Sequence, residues 1–184
     1  LREQVRTQEP DWHNAPVASF GSLDAELLIV GLAPGRGGAN RTGRPFTGDY
    51  AGDLLYQTIE KFGLSEGRYG AGPDDGLRLR NCRITNAVRC LPPENKPVGA
   101  EIKECGAYLA EEIGAMGHLR VLLALGVVAH GAVLTALGQR KSLFKFAHGA
   151  QHQLPSGLVL ADSYHCSRYN TNTRRLTVDM FETV

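Results

Sequence analysis

Four short apolar runs recur along the chain, and each is followed by a polar loop and then by apolar residues at helical spacing. The runs cover residues 26–32, 83–90, 121–125 and 158–164. Such alternation favours a parallel sheet, because the crossover that joins two parallel strands packs back onto the sheet as a helix. The pattern predicts a three-layer α/β/α sandwich around a central four-stranded parallel sheet, with residues 1–184 forming one domain.

The helical spacing after each run places an apolar face against this sheet. Leu54, Leu55, Ile59 and Phe62 share one helical face, and Gly63 follows as the expected C-cap. The comparable faces after the other runs consist of Ile102, Cys105, Leu109 and Ile113, then residues 127–137, then Leu176, Met180, Phe181 and Val184. We therefore expect helices on both faces of the sheet.

The composition excludes several classes of protein. Hydrophobic residues make up 42% of the 184 residues and charged residues 21%, which excludes a disordered or fibrous chain. The 20 Lys and Arg against 19 Asp and Glu give a net charge of +1, so any contact with a polyanion must be local. Four unevenly spaced cysteines do not form a disulfide framework and no signal peptide opens the chain, so we expect a cytoplasmic protein.

One uncharged segment, residues 121–139, has the length of a membrane span. Gly126 and Gly131 interrupt it, and its start is typical of a buried strand that leads into a helix, so we expect no membrane association. The chain begins with Leu1 rather than Met, and Val184 stops within a helical pattern. We expect both termini to be incomplete.

The most polar segments follow directly after three of the predicted strands. These loops span residues 33–52, 91–96 and 165–172. Ligands of open α/β sheets bind outside the carboxyl ends of the strands, so we expect the three loops to line one cleft.

The first loop combines three glycines, at positions 35, 37 and 38, with three arginines, at positions 36, 41 and 44. Its backbone N–H groups and guanidinium groups could face phosphate, but a glycine-rich surface turn with solvated arginines explains the same residues. Neither the Walker motif nor the dinucleotide fingerprint is present. The third loop adds Arg168, Arg174 and Arg175, which predicts a positive rim for nucleic acid.

Two residues of these loops have both a structural and a catalytic interpretation. Asp49 precedes a predicted helix, so it either caps that helix or serves as a carboxylate that orients water or stabilises a cationic sugar. His165, at a strand end, is either a hydrogen-bonded structural histidine or, with Asp49 and Asn95 across one cleft, part of a catalytic set.

Three long motifs, in order along the chain, carry a resemblance to a known family. They are GLAPGRGGANRTGRPFTGDYAG at residues 31–52, RITNAVRCLPPENKP at 83–97 and SYHCSRYNTNTRRLT at 163–177. Together they resemble the uracil-DNA glycosylase superfamily, most closely its family 5. The resemblance implies a monofunctional enzyme of base excision repair that flips uracil, hypoxanthine and some other deaminated bases out of single- or double-stranded DNA and hydrolyses the N-glycosidic bond. We expect it to act as a monomer.

The resemblance also implies a role for each matching residue. Phe46 would stack on the flipped base, although plain core packing is its alternative. Asp49 would position water or stabilise the oxocarbenium-like sugar, because this chain lacks the water-activating residue that better-known glycosylases carry directly after the first strand. Asn95 would serve base recognition or catalysis, and His165 would donate a hydrogen bond to the departing base.

The remaining implied residues form two sets. The set expected around the base consists of Gly31, Ala33 and Asn40. The set expected to contact DNA consists of Arg41, Ser167, Arg168 and Asn170. Cys166 stands where the family often has a small residue, and we expect it to pack rather than react.

Family 5 members bind a [4Fe-4S] cluster through four cysteines, and the resemblance extends to two of them. Cys90 and Cys105 match two ligand positions, and two further cysteines are expected upstream of Leu1. Alternatively, Cys105 fills the apolar face of its helix and the chain holds no cluster. Cys82 matches no ligand position.

Two other functions compete with the glycosylase. One is a non-catalytic nucleotide- or nucleic-acid-binding module, in which Asp49 is only a cap and His165 only a structural group. The other is an iron-sulfur electron-transfer domain, with Cys90 and Cys105 beside the functional cleft. Geometry discriminates between these functions, because a glycosylase needs its stacking, acid, amide and imidazole groups around one base-sized pocket.

Overall fold

The computed structural model describes all residues from 1 to 184. Its helices are α1 (Arg2–Gln8), α2 (Ala39–Thr42), α3 (Tyr50–Lys61), α4 (Gly99–Ala115), α5 (Val127–Ala136), α6 (Arg168–Asn172) and α7 (Val178–Glu182). Its strands are β1 (Leu27–Gly31), β2 (Ser65–Glu66), β3 (Arg78–Leu79), β4 (Cys82–Asn86), β5 (Val121–Leu125), β6 (Gln151–Gln153) and β7 (Val159–Ser163). Two short 3-10 turns cover Pro93–Asn95 and Lys141–Leu143.

The central sheet has five strands in the order β4-β1-β5-β7-β6, so the prediction of four strands was wrong by one. The four predicted strands are all present and mutually parallel. The additional strand, β6, pairs antiparallel with β7 at the edge of the sheet. Its sequence is the polar triplet QHQ, which carries none of the apolar character by which a buried strand is recognised. Strands β2 and β3 form a separate two-stranded hairpin.

Helices cover both faces of the sheet, as the alternation predicts. Successive side chains of a strand point to opposite faces. Accordingly, Leu28 and Val30 of β1 belong to the core under α4 and α5, whereas Ile29 belongs to the core under α3 and α7. All three side chains are buried, and the molecule is a three-layer sandwich.

The helix ends follow the sequence in part. Gly63 adopts a left-handed φ of +70° just beyond the C-cap residue Phe62 of α3, where glycine commonly ends a helix. The fourth predicted helical segment contains only the short helix α7, and Val184 lies beyond its end. Another short helix, α6, forms within the predicted third loop. None of the helices combines the length and the apolar character that crossing a bilayer requires.

Candidate active site

The three polar loops meet at the carboxyl edge of the parallel strands, as predicted. They surround a cavity of about 550 Å³. Among the predicted site residues, its lining includes Ala33, Phe46, Asp49, Asn95, His165, Ser167 and Arg168. Because β4, β1, β5 and β7 are neighbours that all run in one direction, the loops that follow them share one edge of the sheet. The four groups that a glycosylase needs therefore face one pocket, although the first and the last of them are more than 100 residues apart in the chain. They are Phe46, Asp49, Asn95 and His165.

Asp49 caps α3 and also lines the cavity. Its Oδ1 accepts a hydrogen bond from the N–H of Gly52 at 3.2 Å. Its Oδ2 packs against the first loop, where a Cβ on Gly35 would lie 3.2 Å away and a Cβ on Gly38 would overlap the carboxylate. Burial raises the pKa of Asp49, and hydrogen bonds from the N–H groups of Gly52 and Ala51 oppose this only in part. Glycine at positions 35 and 38 thus leaves room for a partly desolvated acid.

Phe46 forms an aromatic wall of the cavity and is held in an unusual backbone conformation. Its φ is +53°, a value that bulky residues rarely adopt, and its side chain is buried. The ring stacks on the imidazole of His165, with 5.8 Å between centroids and 29° between planes. Gly31 lies directly beneath, since a Cβ there would overlap the Phe46 ring. Gly31 therefore supports the wall from behind and does not itself line the cavity.

His165 presents a neutral imidazole to the cavity. Removal from solvent lowers its pKa to about 4, so at neutral pH one ring nitrogen carries a proton and the other a lone pair. Neither ring nitrogen has a hydrogen-bond partner within the protein, whereas the backbone carbonyl accepts a hydrogen bond from Nδ2 of Asn170 at 2.8 Å. Asn170 does not line the cavity. Its hydrogen bond anchors the His165 backbone, and its expected contact with DNA remains a prediction.

Polar and aromatic groups surround the mouth of the cavity. Ser167 caps α6 by accepting from the N–H of Asn170, and the Arg168 guanidinium lies 5.2 Å from the centre of the Tyr50 ring. Asn95 is exposed in the Pro93–Asn95 turn and has a left-handed φ of +56°. Residues held in such sparsely populated backbone regions cluster at functional sites.

Asn40 is not at this site, and its predicted contact with the base was wrong. The side chain is buried, and its Nδ2 donates to Oδ1 of Asn14 at 3.0 Å. Residue 40 lies in the short helix α2. The direction of its side chain depends on whether the tertiary fold supplies a hydrogen-bond partner inside the protein. Here the partner is an amide near the amino terminus, so Asn40 ties the first loop to that segment.

The arginines of the first loop have different surroundings. Arg44 is buried and makes two hydrogen bonds of 2.7 Å each to the carboxylate of Asp75, so it does not face phosphate. Its guanidinium also packs against three aromatic rings, those of Phe20, Tyr56 and Tyr69. Arg36 and Arg41 are exposed, and Arg41 donates to the carbonyl of Gly37 at 2.8 Å. Two of the three expected phosphate-facing cations therefore remain on the surface of this loop.

Asn86 is a site residue that the motif comparison overlooked. It is the last residue of β4, it is 6% exposed, and its side chain lines the cavity. The amide makes no hydrogen bond to another protein group, although buried polar groups are normally paired. The sequence places it inside the apolar run at residues 83–90, whereas β4 ends at Asn86, so only the structure shows that it lies at the carboxyl edge of the sheet.

Two of the four cysteines suit metal coordination. Cys90 and Cys105 are partly exposed and line one cavity of about 610 Å³, which also contains Arg2. Burial raises the pKa of both Cys82 and Cys166 to about 12, so these thiols stay protonated, whereas clusters bind thiolates. Cys90 and Cys105 thus fit two ligand positions of a cluster. This cavity shares no lining residue with the site cavity, which disfavours an electron-transfer centre beside the cleft.

A second set of ligand-type side chains is joined by hydrogen bonds within the protein and consists of His130, His152 and Asp162. His130 contacts Asp162 at 2.8 Å through Nδ1 and the carbonyl of Phe144 at 2.9 Å through Nε2. His152 contacts the other oxygen of Asp162 at 3.2 Å. These contacts join α5, β6 and β7, so the group ties the edge strand to the sheet.

Comparison with known proteins agrees with this geometry. Residues 18–184 match the family described as "Uracil DNA glycosylase superfamily". The chain is 47% identical to the "Type-5 uracil-DNA glycosylase" of Thermus thermophilus, over 98% of this chain and 81% of that protein. The proteins of the same name from Pyrobaculum aerophilum and Mycobacterium tuberculosis are 43% and 39% identical, over 89% and 100% of this chain and 71% and 69% of theirs. The chain therefore belongs to the uracil-DNA glycosylase superfamily.

Proposed function

We propose that this protein is a monofunctional DNA glycosylase that hydrolyses the bond between uracil and deoxyribose in DNA and leaves an abasic site for base excision repair. The convergence of Asp49, Phe46, Asn95 and His165 on one cavity carries the proposal. Its volume of about 550 Å³ lies within the ~300–1,000 Å³ of small-ligand sites, so it suits one extruded base and excludes a duplex. The protein acts on single- and double-stranded DNA, as a monomer in the cytoplasm.

Asp49 acts on the sugar side of the bond. Its Oδ1 is engaged by the helix cap, which fixes the carboxylate and leaves Oδ2 to position the attacking water or to stabilise the cationic sugar. A fixed acid needs no reorganisation when the bond breaks, and positioned acid–base groups contribute about 10²–10⁴-fold to a rate.

His165 and Asn95 act on the base side. Negative charge grows on the O2 atom of uracil as the bond breaks, and a neutral imidazole N–H is a donor suited to it. The low pKa of His165 keeps the ring neutral, so it donates a hydrogen bond without carrying a charge that would have to be desolvated. Asn95 completes the mouth of the cavity with an amide for base recognition or catalysis.

Phe46 and Asn86 select the base. An aromatic face stacks on any ring, which supports a substrate range that includes hypoxanthine as well as uracil. The unpaired amide of Asn86 offers both a donor and an acceptor, so it can pair with the acceptor O4 and the donor N3–H of uracil. Together the two side chains combine tolerant stacking with a directional contact.

Cations at the rim hold the DNA. Arg41 and Arg168 are exposed, and Arg168 and Ser167 line the cavity, which supports a role for these side chains in contacting the phosphates beside the flipped nucleotide. Phosphate contacts supply affinity that decreases as salt rises, and they carry no base specificity. A rim of this kind lets the protein search DNA of any sequence.

We also propose that Cys90 and Cys105 provide two thiolate ligands of a [4Fe-4S] cluster, with two further cysteines upstream of Leu1. Such a cluster would cross-link the loop after β4 to α4 and contribute to stability. Iron and sulfide analysis, with visible absorption, of the full-length protein and its Cys90→Ser and Cys105→Ser variants tests this. Stoichiometric iron that both variants lose supports the cluster, and an iron-free native protein refutes it.

The glycosylase activity itself is tested with a uracil-containing oligonucleotide in single-stranded form and in a duplex. We expect release of free uracil, with strand scission only after alkali treatment. Scission without alkali would contradict a monofunctional mechanism. Tight binding with every uracil still attached would instead favour the non-catalytic module.

A further inference from the structure

A second, smaller cavity adjoins the site cavity on the other side of His165. It has a volume of about 250 Å³ and shares Leu32 and His165 with the site cavity. We call it the side cavity. It is smaller than the ~300–1,000 Å³ typical of small-molecule sites, so it suits a single sugar or base rather than a larger ligand.

One wall of the side cavity is apolar and partly solvent-exposed. Val127 and Val128, in the first turn of α5, are 60% and 38% exposed, and Phe146 lies in the same lining. Adjacent exposed apolar side chains that line a concavity often mark a binding surface. The wall therefore suits the apolar face of a sugar or a base.

The other wall carries a cation without an acidic partner. The guanidinium of Arg175 lies 4.7 Å from the centre of the Tyr164 ring and forms no ion pair and no hydrogen bond. Tyr164 is itself fixed, because its ring stacks on His148 at 5.0 Å and its N–H donates to Nδ1 of His148 at 3.2 Å. Arg175 is thus placed by a supported aromatic ring while its N–H groups stay free for an anion.

We propose that the side cavity binds the nucleotide adjacent to the flipped uracil, with Arg175 on its phosphate and the apolar wall against its sugar or base. This inference rests on the proposed function. Two consecutive nucleotides share one phosphate, so the pocket for a neighbour must adjoin the uracil cavity. The side cavity meets this requirement through the shared residues Leu32 and His165.

The experiment combines a substitution with truncated substrates. Single-stranded oligonucleotides carry uracil either within the chain, at the 5′ end or at the 3′ end, so that one neighbour is absent in each terminal substrate. Arg175→Ala should lower kcat/KM on the internal uracil about 10- to 100-fold, as expected for the loss of a charge-assisted hydrogen bond. It should cause the same loss on one terminal substrate and none on the other.

Two further variants keep the test independent of folding. Val127→Glu places a negative charge on a 60% exposed side chain, so it should leave the fold intact and reproduce the same flank dependence. Arg78→Ala is the matched control, because Arg78 is an exposed, unpaired arginine on the β2–β3 hairpin beyond the far end of α3. It should leave kcat/KM unchanged on all three substrates.

Each remaining outcome overturns the inference. If Arg175→Ala lowers kcat/KM equally on all three substrates, Arg175 acts through the fold or on the uracil nucleotide itself. If it lowers none, the side cavity is not used. A native protein that excises no uracil from the internal substrate overturns the proposed function as well, which separates the two failures.

Discussion

Replacing Asp49 by Asn separates the two roles of this side chain. Asparagine keeps a side-chain oxygen to accept from the N–H of Gly52, and Asn and Asp are equally good N-caps, so α3 should remain capped. The negative charge that positions water or stabilises the sugar is lost. We therefore expect the single-turnover rate of uracil excision to fall by about 10²–10⁴-fold.

The free energy of unfolding of Asp49→Asn should be maintained or rise, although the excision rate falls. Burial raises the pKa of Asp49, which means that the folded protein holds the ionised form less favourably than the unfolded chain does. A neutral amide removes this penalty, so Asp49→Asn should be at least as stable as the native protein at pH 7. Asp49→Ala removes the cap itself and should lose about 1 kcal/mol.

Both quantities are measured on the same preparations, by single-turnover cleavage of a uracil oligonucleotide and by urea unfolding. Thr177 caps α7 by accepting from the N–H of Met180 at 3.2 Å, outside the cavity. Thr177→Ala is therefore the matched control, and it should lose stability but excise at the native rate. An Asp49→Asn protein within tenfold of the native rate would refute the chemical role. A stability loss above about 1 kcal/mol would show that α3 requires the charge.

Three further predictions test the surrounding charges. Arg44→Met leaves the largely buried Asp75 carboxylate with its two backbone N–H donors but without its cation, and should lose about 3–5 kcal/mol of stability, seen as a lower melting temperature, with no change in the salt dependence of DNA binding. Arg41→Ala and Arg168→Ala should each weaken DNA binding and reduce its salt slope by about one, and an unchanged slope removes them from the rim. The unfolded chain protonates His165 near pH 6.5 and the folded protein only near 4, so the free energy of unfolding should fall as the pH drops between these values. In urea titrations across that pH range, the free energy of unfolding of His165→Gln should fall less steeply than that of the native protein. If both proteins lose stability equally, groups other than His165 cause the effect.

The parallel strands were predictable because each contributes buried apolar residues to the core, in continuous runs in β1 and β5 and mixed with polar residues in β4 and β7. Strand β6 was not, because it is only three residues long and its polar triplet QHQ contains no apolar residue that would mark a buried strand. The convergence of the three loops also followed from the sequence, since parallel strands bring their carboxyl ends to one edge.

Side-chain orientation within the loops did not follow from the sequence. Arg41 and Arg44 are three residues apart in one loop, yet one is exposed and the other is buried against Asp75, 31 residues further along the chain. Asn40 turns inward to Asn14 for the same kind of reason. Whether a polar loop residue faces solvent depends on a partner brought close by the tertiary fold, and no local pattern encodes that partner.

The enclosed pair between Arg44 and Asp75 has a consequence for how the protein leaves DNA. Mobile ions screen exposed charges strongly and buried ones weakly. Raising the ionic strength should therefore dissociate the protein from nucleic acid by weakening the phosphate contacts of Arg41. The ion pair of Arg44 should persist and continue to hold the loop that carries Phe46. Dissociation from DNA and the position of the Phe46 ring therefore depend on two different arginines of the same loop, and only the first is sensitive to salt.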